Sequence, residues 1–186
     1  MDSIVPAYIP ARFNGLILVG EAPGAEEARQ GKPFVGRSGQ LLNDQLKAVG
    51  IDRAQCVVAN VFRVQPPKNN VGFFFSSRRA AVAAGQALAD DLPPFGSARL
   101  LAAWRGELMA LAATIADFPP KTIVALGRTP LWALTGQNGL LQNVGQFLPC
   151  TLVRGARVLA TYHPSYILRG NWKLVPTWQQ HFAQAL

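Results

Sequence analysis

Three glutamates, Glu21, Glu26 and Glu27, fall within seven positions of the segment GEAPGAEEARQGKPFVG (residues 20–36), and an aromatic residue, Phe34, stands near its end between Pro33 and Val35. Glycines after an apolar run raise the possibility of a phosphate cradle. Neither GxGxxG nor GxxxxGK[ST] is present, and three carboxylates repel phosphate, so a nucleotide loop is disfavoured. Two readings stay open: an ordinary strand-to-helix turn, or a rigid loop offering an aromatic face to a planar ligand, a contact worth roughly 1–3 kcal/mol per stacked base. Asn60 interrupts an apolar run, where its amide needs a partner because an unpaired buried amide costs several kcal/mol. That partner is either the protein's own backbone or the edge of a flat heterocycle. His163, one of two histidines, precedes Pro164, which favours an extended backbone there.

These groups need a scaffold, and the apolar patterning supplies one. Short runs at Leu16–Gly20, Cys56–Phe62 and Lys121–Gly127, and the end of TLVRGARVLATY, read as strands. Helical spacing of Leu41, Leu42, Leu46 and Val49 behind Ser38 predicts a helix ending at Gly50, with Ser38 as its cap. The alanine- and leucine-rich segments Ser77–Leu92 and Ser97–Phe118 read as two more helices, separated by PPFG. The loop RVQPPKNNVGFFFSSRR reads as irregular. Thr129 is expected to cap a short helix with Pro130 in its first turn, Arg154–Arg157 to turn a hairpin, and Pro176 to start a last helix. Alternating strands and helices indicate an α/β fold: a single domain over residues 1–186, an α/β/α sandwich around a mostly parallel four-stranded sheet. In such folds ligands bind outside the carboxyl ends of the strands, where Glu21, Asn60, Gly127–Arg128 and His163 all fall.

The 186 residues are 49% hydrophobic, enough for one substantial core. Eighteen Lys and Arg against ten Asp and Glu give a formal charge of +8, which favours an anionic partner such as nucleic acid. No apolar run is long enough to span a membrane and the N-terminus lacks a signal-peptide pattern, so a cytoplasmic protein with no membrane partner is expected. Cys56 and Cys150 lie far apart in apolar contexts and read as buried thiols rather than a disulfide or metal pair.

On these residues the chain resembles the uracil-DNA glycosylase superfamily, most closely its family 4 type. GEAPGAEEARQGKPFVGRSGQLL is similar to that family's first motif, in which GEAPG precedes PFVGxxGxLL, and HPSYILR is similar to HPSxxLR. ANVFRVQPP resembles the strand-two motif TNVxKCRPP, and VALGR the third strand; the match spans about residues 16–67 and 121–170. The resemblance implies a monomeric repair enzyme that flips uracil, or another deaminated base, out of DNA and hydrolyses its N-glycosidic bond, leaving an abasic site. It implies that Phe34 stacks on the base, Asn60 pairs with its polar edge and His163 donates to uracil O2. Glu21 would lie near the sugar and the attacking water, and Glu27 beside uracil C5, where a thymine methyl would clash. Gly20 and Ala22 would border the base, while Ser38, Arg128, Ser165, Tyr166, Leu168 and Arg169 would face DNA. Tyr166 or Leu168 would be a wedge at the vacated position.

Two departures from the family pattern matter. Family 4 holds a [4Fe–4S] cluster on four cysteines, but Val64 stands at the KCRPP cysteine and the N-terminal pair is absent, so neither cofactor nor metal is expected. In another branch an aspartate aligned with Ala22 positions water, which alanine cannot do; Glu21 or backbone groups would take that role. The main alternative is a uracil- or abasic-DNA-binding protein of the same fold with little turnover. Its covalent form, which uses a histidine after strand two, is disfavoured because KNNVGFFFSSRR has none. A hydrolase of free nucleosides fits the charge and the HPSYILR segment less well.

Overall fold

Runs of four or five β-branched and aliphatic residues bounded by glycine or polar residues form strands buried on both faces, as parallel sheets require. The computed structural model describes residues 3–186. In chain order its elements are β1 (Leu16–Gly20), α1 (Ala25–Gln30), α2 (Arg37–Ala48), β2 (Val57–Asn60), β3 (Phe75–Ser76), α3 (Arg78–Ala84), β4 (Arg99–Leu100), α4 (Arg105–Asp117), β5 (Thr122–Leu126), α5 (Arg128–Thr135), α6 (Leu140–Asn143), β6 (Phe147–Pro149), β7 (Arg157–Thr161), α7 (Pro164–Leu168) and α8 (Val175–Gln184).

The central sheet has the order β2-β1-β5-β7-β6, parallel except for β6. Alternate side chains separate two apolar layers. Ile17, Val19, Ala59, Ile123 and Val158 pack with Leu108, Leu111 and Ile115 of α4 and Trp132 of α5. Leu16, Leu18, Val58, Val124 and Leu159 pack with Leu42 and Leu46 of α2, Ile167 of α7, and Trp178 and Phe182 of α8. The α/β/α sandwich expected from the sequence is therefore present. Register brings the functional ends level, with Gly20 opposite Asn60 and Leu126 opposite Thr161.

The sheet has five strands rather than the expected four. The hairpin forms, but its first arm is Phe147–Pro149, because the Thr151 N–H bonds Leu134 O at 2.8 Å and draws residues 151–153 out of the ladder. Pro149, which lacks a donor, is tolerated on this edge strand. The expected helix over Ser77–Leu92 stops at Ala84, where Gly85 adopts the left-handed conformation (φ 64°), and the chain returns to bond residues 98–102. The helix expected over Ser97–Phe118 begins at Arg105, since Arg99–Leu100 pairs with Phe75–Ser76 instead. Residues 67–74, expected to be irregular, form two short 3-10 turns. Ser38 lies inside α2, which is capped by Gly36, and Thr129 lies inside α5, behind Gly127. Both cysteines are free and buried, on opposite sides of the sheet.

Candidate active site

The carboxyl ends of β1, β2 and β7 open into one pocket of about 350 Å³ lined by Glu21, Ala22, Glu27, Phe34, Ser38, Asn60, His163, Ser165 and Arg169, together with Pro23, Gly24, Pro66 and Asn69. Nine of the thirteen residues named from sequence thus share one cavity. Gly20 lies beneath it. Arg128, Tyr166 and Leu168 are not among its lining residues.

Phe34 is held by backbone geometry as much as by packing. Its φ of 53° is left-handed, a conformation that costs a residue with a Cβ about 1–2 kcal/mol. Two glycines allow it: a Cβ on Gly39 would lie 1.9 Å from Phe34 O, and one on Gly20 would lie 2.4 Å from Phe34 Cζ. Arg53 then fixes the turn, donating to Phe34 O at 2.7 Å, Pro33 O at 2.6 Å and Asn43 Oδ1 at 2.8 Å. These acceptors are neutral, and burial holds the guanidinium pKa below its ordinary value. The Phe34 and His163 rings face each other at 5.8 Å, inclined by 36°.

Asn60 ends β2 with its Oδ1 over Gly20, where a Cβ would approach to 2.6 Å. It is 8% exposed, and among the described residues no protein group hydrogen-bonds its amide, so both ends of the amide are available to a ligand in the pocket.

His163 caps α7, so the HPSYILR segment forms a helical turn. Its Nδ1 accepts the Ser165 N–H at 3.0 Å and lies 2.7 Å from Ser165 Oγ. An accepting ring nitrogen carries no proton, so in the neutral ring the hydrogen resides on Nε2. Desolvation, helped by the positive charge of Arg169, pushes the imidazole down to about 4, so it is a neutral donor at ordinary pH.

Glu21 is pushed up from the usual carboxylate range by burial, an effect opposed by a 2.5 Å hydrogen bond from Thr129 Oγ1 and by the charge of Arg128. Glu27 occupies the third position of α1, where Oε1 accepts the Gly24 N–H at 3.3 Å, so it caps the helix while lining the pocket. Tyr166 stacks on Tyr162 with centroids 5.6 Å apart and lies 6.0 Å from the Arg169 guanidinium.

Sequence reasoning missed Thr129 as the partner of Glu21, Arg53 as the clamp, and the lining residues Pro66 and Asn69. Long-range contacts gave Thr129 and Arg53 no local signature: Glu21 and Thr129 are 108 residues apart. Backbone geometry marks the lip, since Lys68 and Asn69 both have φ of 55°. Of the basic residues near strand two, Arg78 pairs with Asp90.

The residues present do not fit an iron–sulfur cluster. Val64 is buried in the same layer as Phe62, Phe74, Phe75 and Phe95, with Phe62 and Phe74 stacked at 3.8 Å. Among the described residues no group of three or more His, Cys, Asp or Glu is placed to hold a metal ion. Aromatic packing from residues 71–118 occupies this layer.

The arrangement provides a stacking face, an unpaired amide, a neutral imidazole donor and two carboxylates around one cavity, a set suited to gripping a flat polar heterocycle and the group attached to it. Comparison with known proteins agrees. A type-4 uracil-DNA glycosylase of Thermotoga maritima is 33% identical over 157 residues, which are 84% of this chain and 67% of that protein. Enzymes of the same description from Pyrobaculum aerophilum and Archaeoglobus fulgidus are 47% and 40% identical over 55 and 65 residues, 30% and 33% of this chain. Those two segments span 28% and 33% of the respective relatives. The family profile described as the uracil DNA glycosylase superfamily matches residues 6–186, so strand-end motifs, fold and profile converge: the chain belongs to the uracil-DNA glycosylase superfamily.

Proposed function

We propose that this protein is a monofunctional uracil-DNA glycosylase that takes a flipped uracil into the pocket beneath Phe34, hydrolyses its N-glycosidic bond and leaves an abasic site. The observation that carries the reading is the tautomer of His163: Nδ1 is occupied by Ser165, leaving Nε2–H as a neutral donor in a cavity with a free amide and an aromatic face.

In this reading Phe34 stacks on the base and Asn60 pairs with its polar edge. As the C1′–N1 bond breaks, its electron pair moves onto the base, and His163 Nε2–H stabilises the charge gathering on O2. A donor aimed at developing charge is the largest contribution to such a step. The imidazole supplies a hydrogen bond without losing its proton. The sugar becomes oxocarbenium-like and water adds to C1′; Glu21, beneath the sugar, supports the cation, orients that water and takes up the proton it loses, which then passes through solvent to the departed uracil anion. Glu27 crowds the C5 side. Ser38, Ser165 and Arg169 line the cavity mouth and contact the flanking backbone, while Leu168, and Tyr166 where it leaves Tyr162, fill the space of the flipped base. Base flipping is what exposes the bond. The +8 charge supports DNA over a free nucleoside. We further take the chain to act as a single domain over residues 1–186, as a cytoplasmic monomer.

Incubation with uracil-containing single- and double-stranded oligonucleotides followed by alkali tests the reading. Strand cleavage at uracil is expected, and its absence from uracil, xanthine and hypoxanthine substrates would overturn it. His163→Ala should slow the single-turnover rate roughly 10²–10³-fold, the size of losing one oxyanion-type donor. An equal loss of DNA affinity would instead give His163 a docking role.

A further inference from the structure

Arg128 begins α5 one residue before Thr129, the partner of Glu21, and follows Gly127, where a Cβ would lie 3.1 Å from His163 Cβ. It is therefore beside the active site without lining it, and exposed. Its guanidinium carbon sits 4.1 Å from the centroid of the Phe95 ring. Gly96 lets it pass: a Cβ there would lie 2.6 Å from Arg128 Nη2, and its φ is +59°.

The 93–96 turn is itself tied down. Trp132 Nε1 donates to Pro93 O at 3.0 Å, Asn138 Nδ2 donates to Pro94 O at 2.9 Å, and the Gly96 N–H donates to Asn138 Oδ1 at 2.8 Å. Phe95 is buried, stacked on Phe75 at 4.4 Å and set edgewise against Trp132.

The charges around this turn are distributed unevenly. Asp90 pairs with Arg78 and lies 4.0 Å from Arg99, and Asp91 pairs with Arg105. Arg128 meets an aromatic face instead; its charge reaches the Glu21 carboxylate, but among the described residues no ion pair within 4.0 Å involves it. An aromatic ring restrains a guanidinium through its quadrupole while leaving all its donors and its full charge free. Binding thereby avoids some of the cost of ordering a long side chain.

We propose that Pro93–Gly96 is a shelf that presents the Arg128 guanidinium, free of a direct salt bridge, to a phosphate of the bound DNA, and that this is a function of the segment 71–118. The proposal rests on the glycosylase reading for its partner.

The test is equilibrium binding to a duplex carrying a tetrahydrofuran abasic site, measured across a salt series, with uracil release by the unaltered protein assayed alongside. R128Q should weaken binding and reduce the slope of log K against log salt by about 0.9, the share of one phosphate contact. F95L should weaken binding about two- to five-fold in the unaltered background, the range of an exposed cation–π contact, and have no further effect in R128Q. F95W, which keeps a face, should restore binding. Gly96→Ala, in an exposed turn, should reproduce F95L in an Arg128-dependent way even if F95L does not fold. An unchanged slope in R128Q, or losses from Phe95 and Gly96 substitutions that persist without Arg128, would overturn the shelf. If uracil is released but the R128Q slope is unchanged, the shelf alone fails; if no uracil is released yet the coupling holds, the glycosylase reading alone fails.

Discussion

Glu27 serves two ends, and they separate by measurement. Its carboxylate caps α1 through the Gly24 N–H and also lines the pocket, where in the proposed function it would border the base. Substitution should therefore register both as lost stability and as lost discrimination. Glu27→Ala is expected to lower stability by up to about 1 kcal/mol, the size of a lost capping interaction at a partly exposed site. It should also relax the exclusion of thymine, since alanine leaves room for a 5-methyl group. Glu27→Gln keeps an oxygen acceptor and the volume, so it should preserve exclusion. Competition between U- and T-containing oligonucleotides, with thermal melts of both variants, reads the two effects. A Glu27→Ala protein with intact thymine exclusion would reduce Glu27 to a helix cap. Asn60 is the simpler case: the sequence shows a polar interruption of a strand, and the structure adds that Gly20 lies close beneath its Oδ1.

At the scale of elements, the α2 packing, the 33–34 turn and the residues preceding β2 form one unit whose product is the orientation of the Phe34 ring. Arg53 joins them with bonds to two consecutive carbonyls and to Asn43 of α2. Lysine cannot fork in this way, having a single donor nitrogen. Arg53→Lys should lose part of kcat/KM and Arg53→Ala up to about 10²-fold, the scale of a misplaced binding group. The Arg53 side chain borders a second cavity of about 690 Å³, lined also by Pro33, Asn43 and Lys47. Guanidinium ion added at low concentration should therefore restore part of the Arg53→Ala rate, and failure of rescue with a fully folded variant would refute the clamp. The sequence made parts of this unit legible. Periodicity in α2 and the run of β1 announced the elements, and the glycine spacing marked the loop. Arg53 was invisible because the two acceptors that fix the turn are backbone carbonyls 19 and 20 residues upstream, which carry no residue-type signal. The segment 71–118 was legible only as alanine-rich, and helix propensity there yielded to Gly85 and to the pairing of β3 with β4.

For the molecule as a whole, the buried ionisable groups of the pocket tie stability to pH, and the sign follows from each group. His163 is pushed from 6.5 down to about 4 in the folded protein. Between those values the unfolded chain takes up a proton that the folded chain refuses, so the contribution of His163 is complete above about pH 6.5 and is lost as pH falls towards 4. Each pH unit in the window changes stability by at most about 1.4 kcal/mol. Glu21 acts in the opposite sense. Its pKa is raised above 4.5 by burial, so its contribution is present below about pH 4.5 and is lost as pH rises through the folded value. His181, also lowered by burial, adds the same sign as His163. Comparison of the unaltered protein with His163→Gln cancels Glu21 and His181 to first order and isolates one group. Urea unfolding at pH 4, 5, 6 and 7 should show the unaltered protein losing stability relative to His163→Gln as pH falls, by up to about 3 kcal/mol across the full window. Parallel stability profiles would mean that His163 titrates near its ordinary value. The neutral ring would then still be the majority form at pH 7, with about a quarter of the rings charged, and the rate of uracil release would change as pH falls through about 6.5.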